Sequence, residues 1–166
     1  MSATAAPTEE STADDPRDLV LVREIPDARD KLYRCWTEPA LMTQWFTPPP
    51  WKTSHAETDV RPGGANLVVM RGPDGQEMPN RGIYLEVVPN ERLVFTDAYV
   101  RAWELSEKPF MTVILTFEDL GAGRTRYTAR ARHWTQADRD AHASMGFHEG
   151  WGKATDQLAE LAAGLP

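Results

Sequence analysis

Hydrophobic positions along the chain recur at two different spacings. Residues 18–25, "DLVLVREI", form a run rich in Leu, Val and Ile closed by Pro26, which predicts a strand. Beyond it Ala28, Leu32, Cys35 and Trp36 fall about one helical turn apart and share a face, with Asp27 placed as N-cap. Pro39 opens a second short helix, "PALMTQWF", at the first-turn position proline tolerates, and "TPPPW" stops it. From 51 to 134 the spacing changes to two. "WKTSHAETDV", "ANLVVMRG", "NRGIYLEVV", "ERLVFTDAY", "FMTVILTFEDL" and "RTRYTARARHW" read as six strands. Their links are turn-forming: Pro62-Gly63-Gly64, Pro73-Asp74-Gly75, Pro89-Asn90 and Gly121-Ala122-Gly123. Links this short favour antiparallel pairing of consecutive strands. The longest gap, residues 100–108, reads as a hairpin loop or flap.

The last strand shows its phase most clearly. Thr125, Tyr127, Ala129, Ala131 and His133 alternate with Arg126, Thr128, Arg130 and Arg132, so the arginine face is solvated and Tyr127 and His133 look inward. In the run before it Leu93, Phe95, Asp97 and Tyr99 share a face, which carries Asp97 toward the interior, although Val94 and Ala98 compete for that side. Thr135 and Asp138 then make a capping signature ahead of one long helix. Ala141, Met145, His148, Gly152, Thr155, Leu158 and Ala162 step along a single face of it, with Trp151 beside the stripe. The expected layout is β-α-α-β6-α, an α+β arrangement of an antiparallel sheet closed by a helix.

Composition narrows the picture. Residues 1–17 are small, polar and acidic without one aromatic residue, which predicts a disordered tail ahead of a single domain over 18–166. A net charge of −7 argues against nucleic acid and anionic membrane surfaces as partners. No run approaches the roughly 18 apolar residues of a membrane span, and no signal-peptide core is visible. Cys35, the single cysteine, cannot form an internal disulfide, which fits a reducing cytoplasm.

Five motifs add a resemblance. "REIPDARDKLYRCWTEPALMTQWF", "DVRPGGANLVV", "GIYLEVVPNERLVFTD", "MTVILTFEDLGAGRTRYTARA" and "MGFHEGWGKATDQLAELA" occur in this order over residues 18–164. Together they resemble the START-related (SRPBCC) superfamily, and most closely its branch similar to the activator of 90-kDa heat-shock-protein ATPase. The resemblance implies a helix-grip fold: a curved antiparallel sheet wrapped round a long C-terminal helix, with an internal cavity between them. It also makes Gly150-Trp151 a hallmark of the closing helix. Gly146, Gly150 and Gly152 each cost a helix interior about 1 kcal/mol, and close approach of the helix backbone to sheet or ligand is the expected reason. The 166 residues leave no room for a separate anchoring domain, so action on a chaperone ATPase is not expected.

The fold hosts binding proteins and enzymes alike, so function has to be argued from side chains. His148-Glu149 opens like a zinc-hydrolase motif, but Gly152 stands where the second His belongs. The four His, at 55, 133, 142 and 148, lack metal-ligand spacing, and neither a P-loop nor a nucleophile elbow is present. No metal or cofactor is expected. Aromatic residues are numerous enough to line a pocket. The expected cavity wall comprises Trp36, Phe46, Tyr84, Phe95, Asp97, Tyr99, Tyr127, His133, Met145, His148 and Gly152. This favours a protein that binds a hydrophobic or aromatic small molecule. The alternatives are a polyketide cyclase-like or small hydrolase-like enzyme, using His133 or His148, or the two as a pair, with Asp97 or a Tyr such as Tyr99 as acid and base, and a chaperone-activator-like interaction protein. Homodimerisation through a sheet edge is compatible with the pattern.

Overall fold

The computed structural model describes residues 15–166. β1 (Asp18–Ile25) leads into α1 (Arg29–Thr37) and α2 (Pro39–Trp45). The strands β2 (Lys52–Thr58), β3 (Ala65–Arg71), β4 (Glu77–Val88) and β5 (Arg92–Thr96) follow, then a small hairpin, β6 (Tyr99–Arg101) and β7 (Glu104–Leu105). The chain continues through β8 (Met111–Gly121) and β9 (Arg124–His133) to α3 (Gln136–Ser144) and α4 (Phe147–Ala163). Seven strands make one antiparallel sheet in the order β1-β9-β8-β5-β4-β3-β2. With the terminal helix set against its concave side, this is the helix-grip architecture.

The alternation of β9 decides which side faces in. Thr125, Tyr127, Ala129, Ala131 and His133 are all buried. On the opposite face Arg126 reaches Glu24 and Glu118, while Arg130 and Arg132 converge on Asp18 at 2.8 Å each. Burial pushes the Asp18 carboxyl up, but the bonds from Arg132 and Arg130 outweigh it and hold the group below its ordinary range. The main core gathers Leu21, Leu32, Trp36, Trp45, Leu115, Phe117, Tyr127 and Leu158, joining β1, both short helices, the central strands and α4.

Four local expectations need correction or completion. The closing segment is two helices rather than one. Thr135 caps α3 as its spacing indicates, accepting from the Asp138 amide at 3.1 Å. The helix then stops at Met145, and Gly146 takes φ +94° as the N-cap of α4. That left-handed conformation suits glycine and breaks the phase carried from Ala141 to His148. The segment read as a flap over 100–108 contains the β6–β7 hairpin, so eight strands rather than six lie between 51 and 134. Asp27 is not the cap of α1: Ala28 holds that position without a side-chain bond, and the Asp27 carbonyl instead accepts from the Thr125 hydroxyl at 2.7 Å. Of the segment expected to be a tail, residues 1–14 lie outside the described residues. Arg17 is in place, its carbonyl accepting from the His133 amide at 3.0 Å.

Candidate functional site

α4 rests on α1, α2 and the edge strand β1. It stands off from the middle of the sheet, and between them lies a cavity of about 490 Å³, within the range of small-molecule sites. Gly150, Trp151, Ala154 and Thr155 of α4 form one wall, and Leu93, Phe95, Val113 and Tyr127 of the sheet form the facing one. The inner faces of β3 and β4 supply Val68, Met70, Met78, Asn80 and Tyr84. Met78 and Met145 both line the cavity and are 51% and 73% exposed. The mouth therefore opens between the β3–β4 hairpin and the break at Gly146.

The deep end is aromatic. The Trp36 ring meets Trp45, Phe46 and Phe95 at centroid distances of 4.7, 5.9 and 5.7 Å. Its Nε1–H donates to the Tyr127 hydroxyl at 3.1 Å, and Trp45 Nε1–H donates to the Cys35 carbonyl at 2.8 Å. These bonds satisfy the indole N–H groups internally and leave apolar ring faces on the wall. Burial raises the Tyr127 and Tyr84 hydroxyls well above the ordinary phenol range and lifts the Cys35 thiol to about 11, so none of them ionises near neutrality.

Polar groups are few: Asn66, Asn80 and Arg81 stand on the β3–β4 side and Thr155 on α4, and Asp97 and His142 lie beside Phe110. Asp97 Oδ1 accepts from the Phe110 and Met111 amides at 2.8 and 3.0 Å. Burial moves its carboxyl above the usual carboxylate value, the two amide bonds opposing the shift. His142, on α3, is the imidazole on the wall. Its Nδ1 lies 2.7 Å from Nε2 of His133, and its ring is 5.1 Å from Phe110 and 5.2 Å from Phe147. Burial first, and the neighbouring His133 second, lower His142 to about 4, so it is uncharged at neutral pH.

Trp36, Phe46, Tyr84, Phe95, Asp97, Tyr127 and Met145 are brought together on the wall. Tyr99, His133, His148 and Gly152 are not among the residues lining it. Tyr99 leaves the face of Leu93 and Phe95 because the chain turns into β6, where its ring packs on Trp103 at 6.0 Å. His133 points inward but is covered by His142. His148 is exposed, because Phe147 takes the inward place on the first turn of α4. The expected His133–His148 pair is replaced by His133–His142, and the acid–base set built on His148 falls with it. Gly152 faces the Arg23 guanidinium, 3.6 Å from where a Cβ would stand, an ordinary contact rather than a close approach. A Cβ at Gly150 would meet nothing within 4 Å, and this glycine lines the cavity. It adds open space to the cavity and is not a point of tight packing.

His142 and Phe110 are the wall residues that sequence reasoning missed as a pair. Thr135 caps a helix two residues after β9 ends, but a cap does not fix the direction in which that helix runs, and its folding back over His133 carries no signal in the spacing.

The same fold recurs in solved structures. A protein of Nitrosomonas europaea is 41% identical, with a TM-score of 0.86 over 91% of this chain and 97% of its own. Proteins of Rhodobacter sphaeroides and Mycobacterium smegmatis, each 21% identical, share the fold with TM-scores of 0.82 and 0.77; they cover 96% and 98% of this chain and 100% and 99% of their own. No curated protein matches the chain. Residues 28–163 match the family described as activator of Hsp90 ATPase homolog 1-like proteins, within the helix-grip superfamily, and the chain belongs to that family.

Proposed function

We propose that the protein binds a hydrophobic or aromatic small molecule in the cavity between the sheet and α4. One observation carries this reading: a space of about 490 Å³ walled by Trp36, Phe46, Tyr84, Phe95, Phe110 and Trp151, with a mouth to solvent. An apolar ligand entering it exchanges water contact for aromatic surface at about 25 cal/mol per Å². A cytoplasmic setting is part of the same proposal and rests on Cys35, which is free and buried.

The test uses N-phenyl-1-naphthylamine, an uncharged fluorescent probe, and the variant Gly150→Leu. Position 150 is helical, lines the cavity, and has room for a Cβ with no protein atom within 4 Å, so leucine is directed into the ligand space. The wild type is expected to show saturable one-to-one binding, and Gly150→Leu to lose it while keeping the wild-type circular dichroism. Equal binding by both proteins would place the probe elsewhere and refute the proposal.

A further inference from the structure

We propose that His142 is the specificity-determining residue of the cavity, a hydrogen-bond acceptor that selects apolar ligands carrying a hydroxyl group. This rests on the reading of the cavity as a binding site and adds to it the chemical class of the ligand. The argument begins at a backbone carbonyl. His133 Nδ1 lies 2.9 Å from the Arg17 oxygen. A carbonyl only accepts, so the proton sits on Nδ1 of His133. When each ring carries one proton, His133 Nε2 holds a lone pair, and the 2.7 Å contact to His142 Nδ1 requires that the proton on it belong to His142. Both imidazoles are thereby fixed in the Nδ1–H form. Nε2 of His142 is left as a lone-pair acceptor on a ring that lines the cavity, with no hydrogen-bond partner among the described residues. The rings of Phe110 and Phe147 hold the imidazole in this orientation at 5.1 and 5.2 Å.

The neighbouring polar group has the same character. Asp97 Oδ1 is taken by two amides, and the carboxylate presents only acceptor capacity to the same end of the cavity. A ligand whose polar group only accepts leaves both of these unpaired as it displaces water. One bearing a hydroxyl donates to His142 Nε2. An unsatisfied acceptor in an apolar site lowers affinity by about tenfold.

Two probes on the same naphthalene ring address this contact: 2-naphthol, which donates, and 2-methoxynaphthalene, one methyl group larger, which does not. The wild type is expected to bind 2-naphthol about tenfold more tightly, and His142→Phe to bind the two equally, the gap closing because 2-methoxynaphthalene no longer leaves an acceptor unpaired. Equal affinities in the wild type would overturn the inference and leave the cavity reading standing. Failure of both probes to bind would remove the cavity reading and the inference with it. Tighter binding of 2-naphthylmethylammonium than of 2-naphthol would transfer recognition to Asp97 and also overturn it. Nitrogen-15 spectra of the wild type supply a readout that needs no variant. Both His133 and His142 are expected as Nδ1–H tautomers, with His142 Nε2 shifting when 2-naphthol is added. An Nε2–H form of His142 would contradict the proposal.

Discussion

Gly146 and Gly150 stand four residues apart and respond oppositely to the same change. Gly146 holds φ +94°, so Gly146→Ala is expected to cost about 1–2 kcal/mol in chemical denaturation. Gly150 is helical with open space beside it, so Gly150→Ala should gain up to about 1 kcal/mol. A sequence scale treats both as glycines inside a helix, and the long helix expected over them is where the reading of His148 went astray. The alternation of β9 was legible because Arg126, Arg130 and Arg132 mark the wet side unambiguously. His142 was not, because its partner comes from a chain reversal and not from a period. Its titration gives a second prediction. Its folded pKa of about 4 lies below the ordinary 6.5, so the unfolded chain takes up a proton first as pH falls. The stability it contributes is complete above pH 6.5 and drains away between 6.5 and 4, by roughly 3 kcal/mol. Asp97, shifted upward, acts with the opposite sign, just above its usual value of 3.8. Melting temperatures should therefore fall from pH 7 to 4.5 in the wild type and change less in His142→Phe.

Among the elements, α4 depends on its attachment to β1. Arg23 shares the inward face of β1 with Leu21 and Ile25, passes beneath Gly152, and pairs with Asp156 one turn further along the helix. Its side chain is only 8% exposed and its Nε has no partner, whereas Asp156 is 52% exposed. Removing the carboxylate leaves a buried cation poorly compensated, while removing the cation leaves a carboxylate that water solvates. Asp156→Asn is thus expected to lose about 1–2 kcal/mol in denaturant titration, and Arg23→Met to lose less or to gain. The elements themselves were largely visible beforehand. β1 matches its predicted span of 18–25, and β8 and β9 each agree to within a residue. Their patterns are long, and Pro26 closes β1 while the Gly121-Ala122-Gly123 turn separates β8 from β9. The β6–β7 hairpin was not resolved as strands, because strands of three and two residues carry no period. The pairing of α4 with Arg23 was also hidden, since an arginine in an otherwise apolar strand reads as a solvent-facing position until the helix above it is known.

At the scale of the molecule, the curved sheet and the terminal helix touch at β1 and part over the middle strands, and the separation is the cavity. Periodicity alone reached an α+β layout; the resemblance supplied the wrapping of the sheet about the helix. Neither could assign the polar end of the cavity, which depends on the break at Gly146 and on α3 folding back over β9. The wall has one further property that composition did not reveal. Of the six methionines in the chain, Met42, Met70, Met78, Met111 and Met145 all line the cavity. Unbranched thioether side chains adapt to ligands of differing outline. They also place a reporter at the deep end and at the mouth alike. The most direct measurement is a carbon–proton spectrum of the methionine methyl groups during titration with N-phenyl-1-naphthylamine. Occupancy of the cavity predicts saturable shifts at Met42 and Met111 in step with those at Met78 and Met145. Shifts confined to Met78 and Met145, or none at all, would contradict a ligand between the sheet and α4.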